Sequence, residues 1–284
     1  RGVTSFCPTT MTLPEENITR SLDAALFCME NPESGARVLG VHLEGPYIAM
    51  SKKGAQKADY VRAPDFEEFR RLYDHSGGII RMIVIAPEVE GADDFIRQAS
   101  QLCTVSIAHT DSNYEQAKHG FDMGITHATH LYNAMSGLNH RAPGVVGAVF
   151  DDERVFAEII CDGFHIHPSV LRTTFRLLGD RILAVSDSMS AAGLEDGQYE
   201  LGGQPVYVRD SKACLKDGTI AGSTTNLYQE MKNLVSWGIP FEQAVKSVTL
   251  TPARSIKEDY RVGSIAAGKL ADVVLLDSDL NIVK

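Results

Sequence analysis

Short apolar runs rich in valine and isoleucine alternate along this chain with longer stretches whose apolar residues recur at helical spacing. The runs fall at residues 3–8, 38–43, 79–86, 104–108, 124–128, 155–161 and 182–185. Amphipathic stretches at 17–30, 64–75, 92–102 and 113–120 lie between them. A run that is apolar throughout suits a strand covered on both faces, and an intervening helix returns the chain to begin the next parallel strand. The pattern therefore predicts an α/β fold, a parallel sheet curled into a (β/α)8 TIM-type barrel. Seven strands are visible where a closed barrel has eight, so the first strand is expected to be missing from this chain.

After Asp187 the texture changes. Residues 193–222 carry short polar–apolar alternations (204–208, 213–215, 219–221) among glycines, which predicts β-hairpins. Two helices are expected next, at 226–237 before Gly238 and at 240–249, with Pro240 in the first turn. The tail at 263–277, GSIAAGKLADVVLLD, predicts a turn and then a wholly apolar strand. The expected division is a barrel over 1–192, a hairpin insertion lining its mouth over 193–222, closing helices over 223–256, and strands of a small β-sandwich domain over 257–284. The chain opens at Arg1 almost directly in a strand pattern. Typical barrel size, together with the family resemblance carried by the motifs below, implies roughly 90 further residues upstream.

Composition narrows the function. At 284 residues, 44% hydrophobic and 23% charged, the chain is long enough to bury a barrel-sized core and reads as an ordinary globular protein. A formal charge of −10 leaves no basic stripe for nucleic acid or an anionic membrane, so neither is expected as a partner. Five scattered cysteines without a CxxC pair predict free thiols in a reducing, cytoplasmic setting. No apolar run approaches the roughly 18 residues of a membrane span.

The informative fact is where the ionisable residues fall. Glu44, His109, His130, His165 and Asp187 each follow or end a predicted strand. The C-terminal strand ends of a β/α barrel converge on one mouth, which brings these distant positions into one pocket. Two imidazoles and a carboxylate suit Zn²⁺ or a similar divalent ion with an open coordination position. Asp187, on a further strand, is then free to take a proton from a water that the metal activates. Any one of these residues alone would more often be structural, a histidine bonded to a carbonyl or an acid capping a helix.

The segments HLEGP (42–46), KKGAQ (52–56), AHTD (108–111), THLYNAM (129–135), RAPG (141–144), DGFH (162–165), SDSM (186–189), IAGS (220–223) and TPAR (251–254) run in order over nearly the whole chain. Together they resemble the N-acetylglucosamine-6-phosphate deacetylases of the amidohydrolase superfamily. The resemblance implies hydrolysis of the acetamido group of N-acetyl-D-glucosamine 6-phosphate, giving D-glucosamine 6-phosphate and acetate, in amino-sugar catabolism. It implies that Glu44, His109 and His130 ligate the metal, most simply Zn²⁺, and that Asp187 is the acid/base. Ala55, Asn133, Ala134, Arg141, Asp162, Gly163, Phe164, His165, Ile220, Ala221 and Gly222 become the expected substrate contacts, with Arg141 on the phosphate. A homodimer is the expected assembly.

Some members of the family carry histidine where this chain has Gln56, on a loop that covers the substrate. A second metal would depend on a strand absent here. His42 faces the same side as Glu44 by strand alternation and reads as a packed interior histidine or a partner behind the ligands. His127, His140 and His167 read as structural or surface residues, and His75 and His119 carry no signal. Three other readings compete: a deacetylase for the galactosamine epimer, a sugar-phosphate-binding homologue without turnover, and a dihydroorotase-like enzyme. The last calls for a bridging carbamylated lysine, and no lysine falls at a strand end.

Overall fold

In the parallel strands of the main sheet other than the edge pair Thr9–Thr10, apolar residues pack into one core with the helices. The computed structural model describes residues 2–32 and 35–283. Its elements in chain order are β1 (Ser5–Phe6), β2 (Thr9–Thr10), α1 (Glu15–Glu30), β3 (Arg37–Val38), β4 (Val41–Leu43), α2 (Phe66–His75), β5 (Ile80–Ile85), α3 (Ala92–Ala99), β6 (Thr104–Ile107), α4 (Tyr114–Met123), β7 (Ile125–Ala128), α5 (Gly144–Asp151), β8 (Phe156–Ile159), α6 (Pro168–Leu178) and β9 (Ile182–Ala184). Seven of the strands form one parallel sheet in the order β2-β4-β5-β6-β7-β8-β9. This is the sheet of a TIM-type barrel, with consecutive strands adjacent and helices between them.

Leu43, Ile83, Ile85, Val105, Ile107, Ala157 and Ile159 form one core with Ile18 and Leu22 of α1, Phe69 of α2, Phe95 and Ile96 of α3, and Phe175 of α6. Each of these side chains except Ala157 contributes about 1.5–3 kcal/mol by leaving water. Leu22→Ala alone would cost about 2–5 kcal/mol through lost transfer energy and the cavity left behind. The alternate positions, His42, Met82, Ser106, His127 and Glu158, are buried too, yet lie outside that core. They occupy the inner face of the sheet, which is mixed and partly polar.

Helix ends follow local chemistry. Asn113 caps α4 through its side chain, and Gln116 returns a bond to the Asn113 N–H. Asp65 caps α2, accepting from the N–H groups of Glu67 and Glu68. Pro168 sits at the start of α6, where its missing N–H costs nothing.

Two sequence expectations need correction. The run at 3–8 is not one barrel strand. Ser5 and Phe6 pair with Arg37 and Val38, and the chain then slips by one residue before Thr9 and Thr10 pair with His42 and Leu43. The extra residue is a bulge, so the sheet edge proper is β2. The apolar tail at 263–277 forms no strand: among the described residues its ladder contact is the isolated bridge between Leu276 and Ile282. A strand exists only where a neighbour supplies hydrogen bonds, and Val273 and Leu275 here remain exposed.

The hairpin region is an antiparallel meander of β10 (Gly197–Leu201), β11 (Gln204–Arg209) and β12 (Lys212–Cys214). The first turn is Gly202–Gly203, both at positive φ, as a two-residue hairpin turn requires. Gln204 Nε2 donates to Ala55 O at 2.7 Å, tying the meander to the loop after β4. The helices α7 (Leu227–Ser236), α8 (Phe241–Ser247) and α9 (Leu250–Ser255) complete the regular structure. No helix among the described residues is long and apolar enough to cross a membrane.

Candidate active site

The chain leaves three of the parallel strands through left-handed backbone. His109 follows β6 at φ 46°, His130 follows β7 at φ 36°, and Asp187 lies beyond β9 at φ 45°. Such conformations cost on the order of 1–3 kcal/mol at residues other than glycine, and they cluster where a fold holds side chains in place for function. All three side chains line one cavity of about 380 Å³ at the C-terminal ends of the strands. A larger, shallower cleft lies between α2 and α3, lined by Arg62, Phe66, Glu67 and Asp94. It holds none of the strand-end residues.

Glu44 directly follows β4 and is buried beside the two histidines. His109 Nε2 lies 2.8 Å from Glu44 Oε1, His130 Nε2 lies 3.4 Å from the same oxygen, and the two nitrogens are 3.2 Å apart. One ligand atom from each residue lies within 4.8 Å of the others. Two imidazole nitrogens this close, both turned toward one carboxylate oxygen, present lone pairs to a common point. A divalent cation satisfies all three at once, and the donor set is that of a catalytic site with positions left open. Behind His109, the Lys52 carbonyl lies 2.8 Å from Nδ1 and fixes the ring so that Nε2 faces the ligand point.

The electrostatics are dominated by the buried Glu44 carboxylate. Burial would raise the Glu44 carboxyl, but the bonds from His109 and His130 outweigh it and hold it well below its usual range. Burial likewise opposes charging His130, yet the Glu44 carboxylate lifts that imidazole to about 9. Asp187 is pushed up to about 7, by burial first and by Glu44 second, with His130 pulling the other way. An aspartate near neutrality can both accept and release a proton.

Of the expected substrate contacts, Ala55, Asn133, Ala134, His165, Ile220 and Gly222 line the cavity. Asp162, Gly163, Phe164, Ala221 and Arg141 do not. Asp162 builds the turn: its carboxylate accepts from the N–H groups of Phe164 and His165 and sits 2.7 Å from His165 Nδ1. It thereby holds His165 for the pocket. Gly163 occupies that turn at φ 86°, Phe164 is exposed, and Ala221 packs with Met189 and Val206. Arg141 is exposed, on the loop that continues from Asn133 and Ala134. The 220–223 segment is anchored to the end of β9 by Ser223 N–H donating to Asp187 O at 2.8 Å.

Sequence reasoning missed Lys52, Met11 and Leu201, which also line the cavity. It placed Gln56 on a loop that covers the substrate but did not foresee that Gln56 is buried and bonded to Glu44 itself.

Comparison with known proteins identifies the family of the chain. The sequence profile of the amidohydrolase family matches residues 1–284. An N-acetylglucosamine-6-phosphate deacetylase of Vibrio furnissii is 37% identical over 285 residues, covering 100% of this chain and 71% of the relative. An N-acetylgalactosamine-6-phosphate deacetylase of Escherichia coli O157:H7 is 36% identical, covering 99% of this chain and 75% of the relative. Among solved structures, the N-acetylglucosamine-6-phosphate deacetylase of Pasteurella multocida superposes with a TM-score of 0.92 at 33% identity, over 98% of this chain and 73% of that one. A mutant of the Mycobacterium smegmatis enzyme, in complex with N-acetyl-D-glucosamine-6-phosphate, gives the same TM-score at 33% identity, over 98% and 74%. By profile, sequence and fold, the chain belongs to the amidohydrolase family, alongside its N-acetylglucosamine-6-phosphate deacetylases.

Proposed function

We propose that this chain hydrolyses the acetamido group of N-acetyl-D-glucosamine 6-phosphate to D-glucosamine 6-phosphate and acetate. The observation that carries the reading is the convergence of Glu44, His109 and His130 on one point, with Asp187 across the same cavity. Glu44, His109 and His130 would hold the metal, and two nitrogens with one carboxylate oxygen favour Zn²⁺. When bound, such an ion polarises the amide carbonyl and makes water acidic enough to attack at neutral pH.

The chain's own residues do the rest. Asp187 Oδ takes the proton from the attacking water and delivers it to the amide nitrogen, so that glucosamine 6-phosphate leaves as an amine and acetate remains. His165, held at Nδ1 by Asp162, presents its other nitrogen to the sugar. Asn133 is fixed by donating from Nδ2 to His130 O at 3.2 Å, which places its amide at the cavity wall. We assign the 6-phosphate to the cavity mouth and to Arg141. The Arg141 guanidinium has no ion pair among the described residues, whereas Lys52 is already paired with Asp111 at 3.2 Å.

A second reading, the galactosamine epimer as substrate, is favoured by the 36% identity to the Escherichia coli O157:H7 relative. Acetate release from both 6-phosphates, with metal content measured on the same sample, separates the two. His109→Ala and His130→Ala are expected to lose metal and turnover together. Full metal occupancy in the double variant would overturn the site.

A further inference from the structure

The two ligand histidines are held unequally. His109 Nδ1 has the Lys52 carbonyl at 2.8 Å, while His130 Nδ1 is buried with no partner among the described residues. Metal-ligating histidines almost always donate their second N–H to an acceptor, which sets the tautomer and raises ligand basicity. His130 therefore lacks an acceptor that its role demands.

Its surroundings on the inner face of the sheet are polar and equally incomplete. His42 Nε2, both nitrogens of His127, and Glu158 Oε2 are buried and unbonded. His127 Nε2 comes within 3.1 Å of Glu158 Oε1, an ion-pair distance, but is not aligned for a hydrogen bond. Burial alone would raise the Glu158 carboxyl, but His127, His42 and His130 together outweigh it and hold it below the usual range. Glu158 is thus a charged acceptor with an unused oxygen. The backbones meet next to the ligand: the Leu131 N–H donates to Glu158 O at 2.8 Å. Buried polar atoms are rarely left unpaired, and polar interiors of this kind hold ordered water making about three bonds each.

We propose that His42, His127 and Glu158 form a hydrated layer beneath the metal site, in which ordered water links the Glu158 carboxylate to His130 Nδ1. Glu158 is then a positioning residue. It orients His130 as a ligand and touches neither substrate nor metal. The proposal rests on the metal-site reading above.

The test is metal affinity, read by competition with a chelator using Zn²⁺, together with the visible spectrum of the Co²⁺-substituted protein. Glu158→Gln is expected to weaken Zn²⁺ binding by roughly 10- to 100-fold, the range for losing such a partner, and to shift the Co²⁺ bands. The double variant His127→Leu/Glu158→Leu makes the layer apolar, an exchange that often leaves a fold as stable or more so. It should unfold no earlier in the metal-free state and still bind Zn²⁺ more weakly. Wild-type affinity and spectrum in either folded variant would overturn the proposal. Failure of both variants to fold would assign the layer to the fold alone and overturn it equally. If wild-type protein itself binds no metal, the fault lies with the site reading.

Discussion

Gln56 Nε2 donates a hydrogen bond of 3.1 Å to Glu44 Oε1, the oxygen toward which His109 and His130 also turn. The other end of the same amide accepts from the Thr12 N–H at 2.8 Å. One buried side chain thus ties the carboxylate ligand to the backbone that follows β2. The amide can do both at once because its NH2 donates and its carbonyl accepts, and it stays neutral at every pH.

Gln56→Leu should therefore loosen Glu44 rather than merely uncover the pocket. Metal affinity is expected to fall about tenfold, at the lower end of what losing an outer hydrogen-bond partner costs. Chelator competition reads it directly. An unchanged affinity with a raised KM would return Gln56 to the role of a cover.

Asp187→Asn is the cleanest test of proton transfer. Asparagine tolerates left-handed backbone, so φ 45° should be kept and the fold left intact. Metal should stay bound while kcat falls by at least about 10²-fold, the scale for losing a general acid/base. Loss of metal with a normal rate per remaining ion would make Asp187 a ligand instead.

Arg141→Ala should weaken binding of the 6-phosphate sugar by about 2 kcal/mol, the lower part of the range for losing a charged hydrogen-bond partner, because the side chain is exposed. Turnover of the unphosphorylated sugar should barely change. An equal loss on both sugars would mean that Arg141 supports its loop, and Lys52→Ala would then be the next variant to assay.

Glu230 of α7 is fully buried, and neither carboxylate oxygen has a hydrogen-bond partner among the described residues. Burial, and then the charge of Asp162, push its pKa well above the ordinary value. The sign follows from linkage. Below about pH 4.3 the group is protonated folded or unfolded and costs nothing; above it the unfolded chain ionises and the folded one does not. Stability is lost with rising pH until the folded group itself ionises. The advantage of Glu230→Gln over wild type should therefore grow by up to about 1.4 kcal/mol per pH unit across that window. Urea midpoints at pH 5.5 and 8.5 measure it. A difference that does not change with pH would mean that Glu230 is charged in the folded protein.

Glu44, His109, His130 and Asp187 were legible because a β/α barrel fixes where strand ends meet, and periodicity locates strand ends without coordinates. What periodicity cannot show is which residue bonds which across loops. Gln56 reaching Glu44 and Gln204 reaching Ala55 depend on loop conformation. Glu158 was hidden inside an apolar run, where one acid among branched residues reads as noise. The tail shows the same limit: VVLL has strand composition, but composition does not provide the neighbour that a strand pairs with.

The left-handed turn at Asp187 places chemistry and evolution of the fold in opposition. Asparagine there is suited to the backbone and removes a charge that both burial and Glu44 disfavour. It should make the metal-free protein more robust while silencing it. Selection of this gene for heat tolerance, with no demand for turnover, would thus be drawn to that codon early. An acidic residue persisting there through such a campaign would mark lineages in which catalysis was still being screened.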